Sequence, residues 1–202
     1  MFFKNYLLKE KLKHNSYFIW KSENKSIKAI KDFKSLNLDL IIGVDSQKEI
    51  LFKNTINFAE GNFTNNALLW GARGNGKSSL IKSVFHQIVS TNKNLKLIQL
   101  NKNNIFDIEY IYSILGNYIQ YRFIIFIDDL SFEKIDSDYK IIKSTLDGSI
   151  QHQPTNILLY VSSNRRHLMP RDMIDNERSS AIHTDESVEE KISLSDRFGL
   201  WI

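Results

Sequence analysis

The sequence contains no cysteine. That excludes a disulfide framework, a thiolate metal site and a cysteine nucleophile, and it suits a reducing compartment. Proline occurs only at Pro154 and Pro170, and there are 8 glycines in 202 residues. No Gly/Pro/Ser-rich linker therefore divides the chain. No apolar run approaches the roughly 20 residues needed to span a bilayer. The stretch Met1–Glu10 lacks a long apolar segment and a small-residue cleavage site, which makes it a poor secretory leader; the expected location is the cytoplasm. Neither sign of charge dominates, with 27 basic and 23 acidic residues and a net charge of +4. The lysines are scattered, and the densest basic stretch, Lys9 to Lys34, is interrupted by Glu10, Glu23 and Asp32. The basic balance thus reads as solvated lysines ahead of a nucleic-acid surface.

What is present is a chain of one-domain length with average globular composition and no internal repeat. Residues 1–40 read as a polar helical or extended N-terminal segment with apolar points at Phe3, Leu7, Leu8 and Leu12. Residues 41–202 read as the core. There, Ala67–Trp70, Leu95–Leu100, Phe123–Ile127 and Ile157–Val161 are short apolar runs, and Gly199–Ile202 ends the chain as a further strand. Helical periodicity covers Ser78–Ser90, Ile105–Leu115 and Asp138–Leu146. Strands apolar on both faces, alternating with helices, predict an α/β fold: three layers, with a mainly parallel five-stranded sheet covered on both sides. Ligands in such sheets bind at the C-terminal strand ends.

One motif carries phosphate chemistry directly. Gly71-Ala72-Arg73-Gly74-Asn75-Gly76-Lys77-Ser78 matches G-x-x-x-x-G-K-S/T in full, between a predicted strand and a predicted helix. The glycines let successive backbone N–H groups turn toward one phosphate, and the helix N-terminus adds partial positive charge. Lys77 is expected on the β- and γ-phosphates of ATP and the Ser78 hydroxyl on magnesium, with Ser79 next in the nucleotide-binding set.

Downstream, the apolar run Phe123–Ile127 ends in Asp128 and Asp129. This resembles a Walker B segment. Asp128 is expected to hold the metal and Asp129 to orient the attacking water, with Glu133 as the backup base. Most related ATPases carry Glu where Asp129 stands, so the carboxylate here is one methylene shorter. The next strand ends Ser162-Ser163-Asn164, and Asn164 is the candidate for positioning water near the γ-phosphate, with Ser163 second. Arg165, Arg166 and His167 follow and suit phosphate, a neighbouring subunit or nucleic acid. Near the end, Arg197 in Ser195-Asp196-Arg197-Phe198 resembles the arginine finger of initiator-type AAA+ proteins. Its expected position is the outer edge of the sheet's C-terminal rim, acting on a neighbour's ATP; the structural alternative pairs it with Asp196 or Glu190.

The strings LLWGARGNGKSSL, FIDDLSFE, SSNRRHLMP and EEKISLSDRFGLW together resemble a bacterial AAA+ P-loop ATPase family of unknown function. The similarity reaches back through Leu40–Asp45 and Asn54-Thr55 to about Phe18-Ile19-Trp20. It implies an AAA+ fold, binding of ATP and Mg2+, a homo-oligomeric ring, and a Gly43 region bordering the adenine. Family members turn acidic after the proline matched by Pro170, where this chain has Arg171. They also continue into a small helical lid, so residues 41–202 are expected to be a core whose lid is missing. Three functions compete: an ATPase that remodels a protein partner, a nucleic-acid-associated ATPase like helicase loaders and initiators, and a small-molecule kinase. Asp128-Asp129 with Asn164 and Arg197 argues against the kinase.

Overall fold

The computed structural model describes residues 2–133, 137–146, 153–166, 168, 194 and 197–202. Five helices and seven strands are ordered along it: α1 (Phe2–His14), β1 (Tyr17–Lys21), β2 (Ser26–Ala29), α2 (Asp45–Ala59), β3 (Ala67–Trp70), α3 (Lys77–Val89), β4 (Leu95–Leu100), α4 (Ile108–Leu115), β5 (Arg122–Ile127), α5 (Ser137–Leu146), β6 (Ile157–Ser163) and β7 (Leu200–Trp201). All seven strands form one sheet in the order β2-β1-β4-β5-β6-β3-β7.

The central strands are mostly apolar because both of their faces are covered, as in β3 (ALLW) and β5 (RFIIFI). In β5, Phe123, Ile125 and Ile127 point into a core shared with Leu12 of α1, Ile108 and Ile111 of α4, and Ile142 of α5. Ile124 and Phe126 point the other way, toward Leu51 and Phe58 of α2 and Leu80, Val84 and Phe85 of α3. This alternation makes three layers. The expected parallel five-strand set is present as β4, β5, β6, β3 and β7, every neighbouring pair parallel.

The sheet is wider than the five strands expected, because the N-terminal segment is not only helical. β1 pairs in parallel with β4, Tyr17 opposite Leu97, and β2 returns antiparallel on β1, Phe18 opposite Ala29. The driving pattern is a period of two: Phe18 and Trp20 are buried while their neighbours are half-exposed. Apolar Tyr17 and Ile19 on the outward positions of β1 hide that period from a simple hydrophobicity reading.

A buried polar clasp holds the added strands. The Asp107 side chain, at 1% exposure, accepts the indole N–H of Trp20 at 2.7 Å and the Lys25 ammonium. Asp107→Ala should cost about 2 kcal/mol, because the indole N–H loses its acceptor inside the core. Lys25→Met should cost less, about 1 kcal/mol, since it removes only the half-exposed cation while the Asp107 carboxylate keeps the Trp20 indole N–H. Urea denaturation of the two variants checks the order; equal costs would mean that the ion pair, and not the indole, anchors the clasp.

Candidate functional site

β3, β6 and β5 are neighbours, and their C-terminal ends lie level. Trp70 is opposite Ser163, and Ile127 is opposite Val161. The residues that follow these ends must therefore meet, and they do so at the rim where the sequence placed the ligand. The loop Gly71–Gly76 leaves β3 and enters α3, capped by Gly76. Gly74 (φ +86°) and Gly76 (φ +77°) take left-handed conformations that side-chain-bearing residues resist. The Gly71 N–H donates to the Ser163 carbonyl at 3.3 Å, which ties the loop to β6.

The structure brings five candidate residues together in two adjoining hydrogen-bonded groups, Lys77–Asn164–Asp129 and Ser78–Asp128. The Lys77 ammonium donates to the carbonyls of Gly71 (2.7 Å) and Ala72 (2.8 Å) and to Asn164 Oδ1 (3.0 Å). Asn164 Nδ2 donates to Asp129. The Ser78 hydroxyl donates to Asp128. Burial lowers the Lys77 pKa below the ordinary lysine value, against the opposing pull of Asp129 and Asp128. Asp129 itself has φ +54°, an uncommon conformation for a non-glycine residue. It is held there by a bond from its own N–H to Ser162 Oγ at 3.0 Å. The turn separates the two carboxylates: Asp128 faces Ser78, and Asp129 faces Asn164.

Other candidates fall elsewhere. Glu133 lies on the outer side, 75% exposed and paired with Arg165 at 2.9 Å. Ser163 Oγ is buried and donates to the Leu130 carbonyl, so it faces away from the phosphate loop. The Arg166 guanidinium lies over two indoles, 5.2 Å from the Trp70 ring and 5.6 Å from the Trp201 ring. Gly43 (φ +82°) sits between the 3-10 turn Leu38–Leu40 and α2, flanked by the exposed Leu40 and Ile42. Ser79 lies in the first turn of α3 and Arg73 on the exposed part of the loop. His167, Pro170, Arg171, Glu190 and Asp196 lie outside the described residues.

The expected place of Arg197 is corrected. β7 runs parallel to β3 with Leu200 opposite Ala67, the first residue of β3. The residues just before β7 therefore lie at the N-terminal end of the strands, not at the C-terminal rim. Roughly 13 Å of strand separates that end from Gly71, more than an arginine side chain reaches.

Two residues at the rim escape a reading by motif. Ser162 donates to Asp128 as well as accepting from the Asp129 N–H, so one hydroxyl sets both carboxylates. Lys102, just after β4, donates to the Asp129 carbonyl at 3.1 Å and lies 3.6 Å from its carboxylate. Both act across strands, so no local pattern announces them; only the order of β4, β5 and β6 does.

A family model described as "Protein of unknown function (DUF815)" matches residues 13–202. No curated protein matches the chain. Among solved structures, PCH-2 of C. elegans is 14% identical with a TM-score of 0.51, over 83% of this chain and 44% of that one. A mutant of RuvB from Thermotoga maritima is 18% identical with a TM-score of 0.51, over 82% and 46%. A DnaI structure is 11% identical with a TM-score of 0.49, over 93% and 88%. The chain spans less than half the length of the PCH-2 and RuvB chains. The likeness to those two is one of fold, the α/β AAA+ P-loop fold with a mostly parallel sheet.

Proposed function

The chain belongs to the family described as protein of unknown function (DUF815), and we propose that it is a magnesium-dependent ATPase. The observation that carries this is the hydrogen-bonded chain of Lys77, Asn164 and Asp129 beside the Ser78–Asp128 pair. A lysine on a glycine-rich loop, a hydroxyl with a carboxylate, and a second carboxylate held by an amide are the groups ATP hydrolysis needs.

Each group has a defined task in this reading. The backbone N–H groups of Gly71–Ser78 and the Lys77 ammonium bind the β- and γ-phosphates. The Ser78 hydroxyl and the Asp128 carboxylate are hard oxygen donors at one place, which fits Mg2+. The metal supplies charge neutralisation of the phosphates. Asp129 accepts the proton of the attacking water, and Asn164 orients that water and the γ-phosphate together. Glu133 becomes the weaker candidate for the base, since Arg165 holds it. Gly43 with exposed Leu40 and Ile42 offers a surface for adenine. Residues 41–202 are the nucleotide-binding unit, and residues 1–40 widen its sheet. Arg197 reaches its own phosphate loop from nowhere, so it serves a second copy. Turnover drives remodelling of a protein partner. Nucleic-acid binding in a filter assay, with a steep salt dependence, would replace that last point and leave the chemistry untouched.

The experiment is Mg2+ titration of ATP turnover in the parent and in Asp128→Asn. The variant should need about tenfold more Mg2+ or greater for half-maximal turnover, the loss of one charged ligand. An unchanged Mg2+ requirement removes Asp128 from the metal site.

A further inference from the structure

Asp129 stands where β5 stops being extended. Along β5, Phe123, Ile125 and Ile127 face α4 and α5, and Ile124 and Phe126 face α2 and α3. Continued by the same alternation, Asp128 falls on the α3 side, where it meets Ser78. An extended Asp129 would fall on the other side, toward α4 and α5 and away from the glycine-rich loop. It does not, because its backbone turns left-handed, at φ +54°. Its carboxylate then accepts from Asn164, which in turn accepts from the Lys77 ammonium at 3.0 Å.

The turn is gripped from β6 and from the end of β4. The Leu130 N–H donates to the Ser162 carbonyl at 2.9 Å, and Ser163 Oγ donates to the Leu130 carbonyl at 2.6 Å. Lys102 donates to the Asp129 carbonyl at 3.1 Å. None of these bonds depends on the side chain at position 162. The Ser162 hydroxyl adds one contact of its own: it accepts the Asp129 N–H at 3.0 Å while donating to Asp128 at 2.5 Å. Its proton is committed to Asp128, so a lone pair is left for Asp129. A left-handed residue other than glycine persists where its surroundings over-determine it. Aspartate is among the few residues enriched in that conformation, and glutamate is not. The short carboxylate and the turn thus belong together.

We propose that Ser162 is a positioning residue for ATP hydrolysis: its hydroxyl fixes the left-handed turn that brings the short Asp129 carboxylate to the loop, in place of the methylene that a glutamate would add. The inference rests on the ATPase reading, in which Asp129 is the base. In the step itself, water oxygen bonds to the γ-phosphorus and the bond from phosphorus to the bridging oxygen breaks. The electron pair of that bond stays on ADP, and the water proton goes to Asp129. Ser162 touches none of the reacting atoms, so its effect on this step passes through the direction in which Asp129 points.

The test is phosphate release at saturating ATP and Mg2+, where the contact of Ser162 with Asp128 does not limit the rate, with ATP affinity measured on the same samples. Ser162→Ala removes the hydroxyl and leaves the other bonds of the turn. It should bind ATP as the parent does and lose about 10-fold or more in turnover, the scale for removing a group that orients a functional side chain. The loss must run through Asp129. In the Asp129→Asn background, which already lacks the base, Ser162→Ala should lower turnover no further, whereas a structural serine would lower both backgrounds alike. Side-chain length at position 129 supplies the opposite sign. Asp129→Glu alone should lower turnover, because glutamate resists the turn that Ser162 imposes. Combined with Ser162→Ala, which frees the turn, Asp129→Glu should raise turnover above that of Ser162→Ala alone. Parent-level turnover in Ser162→Ala overturns the proposal, and so does an equal further loss in the Asp129→Asn background. A Ser162→Ala, Asp129→Glu double variant no faster than Ser162→Ala overturns it too. Lost ATP binding in Ser162→Ala makes the hydroxyl structural and overturns it as well. A parent with no ATP turnover sinks the ATPase reading itself. A parent that turns over ATP, with Asp129→Asn impaired and Ser162→Ala not, sinks only the role of Ser162.

Discussion

Lys77→Ala should weaken ATP binding by about 100-fold or more, on the scale of two lost charge-assisted hydrogen bonds, while the fold survives. The ammonium makes three bonds, to Gly71 O, Ala72 O and Asn164 Oδ1. Two acceptors are loop carbonyls and the third is the Asn164 side-chain amide, and none belongs to the core. Removal of the lysine side chain should therefore shift the unfolding free energy by no more than about 0.5 kcal/mol, the usual range for a surface substitution. Titration calorimetry with Mg·ATP and a urea melt on one preparation separate the two effects. Binding at parent affinity would remove the phosphate-loop assignment; a large loss of stability would make the lysine structural.

Arg197→Ala should leave ATP binding intact and lower turnover about 10³-fold, the lower end for an arginine supplied between P-loop subunits. The reason is positional. Leu200 N donates to Asn66 O at 3.1 Å, so the segment before β7 lies beside the start of β3, at the opposite end from Gly71. The Arg197 side chain does not span the sheet, so in the proposed mechanism it acts on the γ-phosphate of another copy. Turnover per chain in the parent should accordingly fall on dilution, as copies separate. Constant turnover across a dilution series that takes the chain to a monomer would rule out action between copies, and so would parent-level turnover in the variant.

The parts legible in the sequence are those whose signal is local. β3 and β4 fall on the residues expected, β3 as an unbroken apolar run and β4 as a run in which only Lys96 and Gln99 are polar. The glycine-rich loop is equally local: its motif runs unbroken from Gly71 to Ser78, and β3 and α3 flank it as expected. Asp128 and Asn164 lie beside the glycine-rich loop, as expected, because each directly ends or follows such a strand. The rest depends on which strand lies beside which. The β1–β2 hairpin shows a period of two only at Phe18 and Trp20, and its partner β4 lies far away in sequence. α2 went unread because its buried face is thin and partly polar: Leu51, Thr55 and Phe58. Thr55 is tolerated there since Tyr160, buried in β6, shares a 2.9 Å hydrogen bond with it. Ser162 and Lys102 touch the carboxylates across strand boundaries, and the place of Arg197 follows only from the direction of β7.

The most direct test of the central claim is phosphate release from ATP by the parent and by Asp129→Asn, with ATP binding measured on the same samples. Asparagine keeps the size of the side chain and its contact with Asn164, but it cannot accept the proton of water. The account predicts Mg2+-dependent release by the parent. For Asp129→Asn it predicts near-parent ATP affinity with turnover lower by about 10²-fold or more, the contribution of a general base. Equal turnover in the two proteins would contradict it and move the base to Glu133, and no release by the parent would contradict it outright.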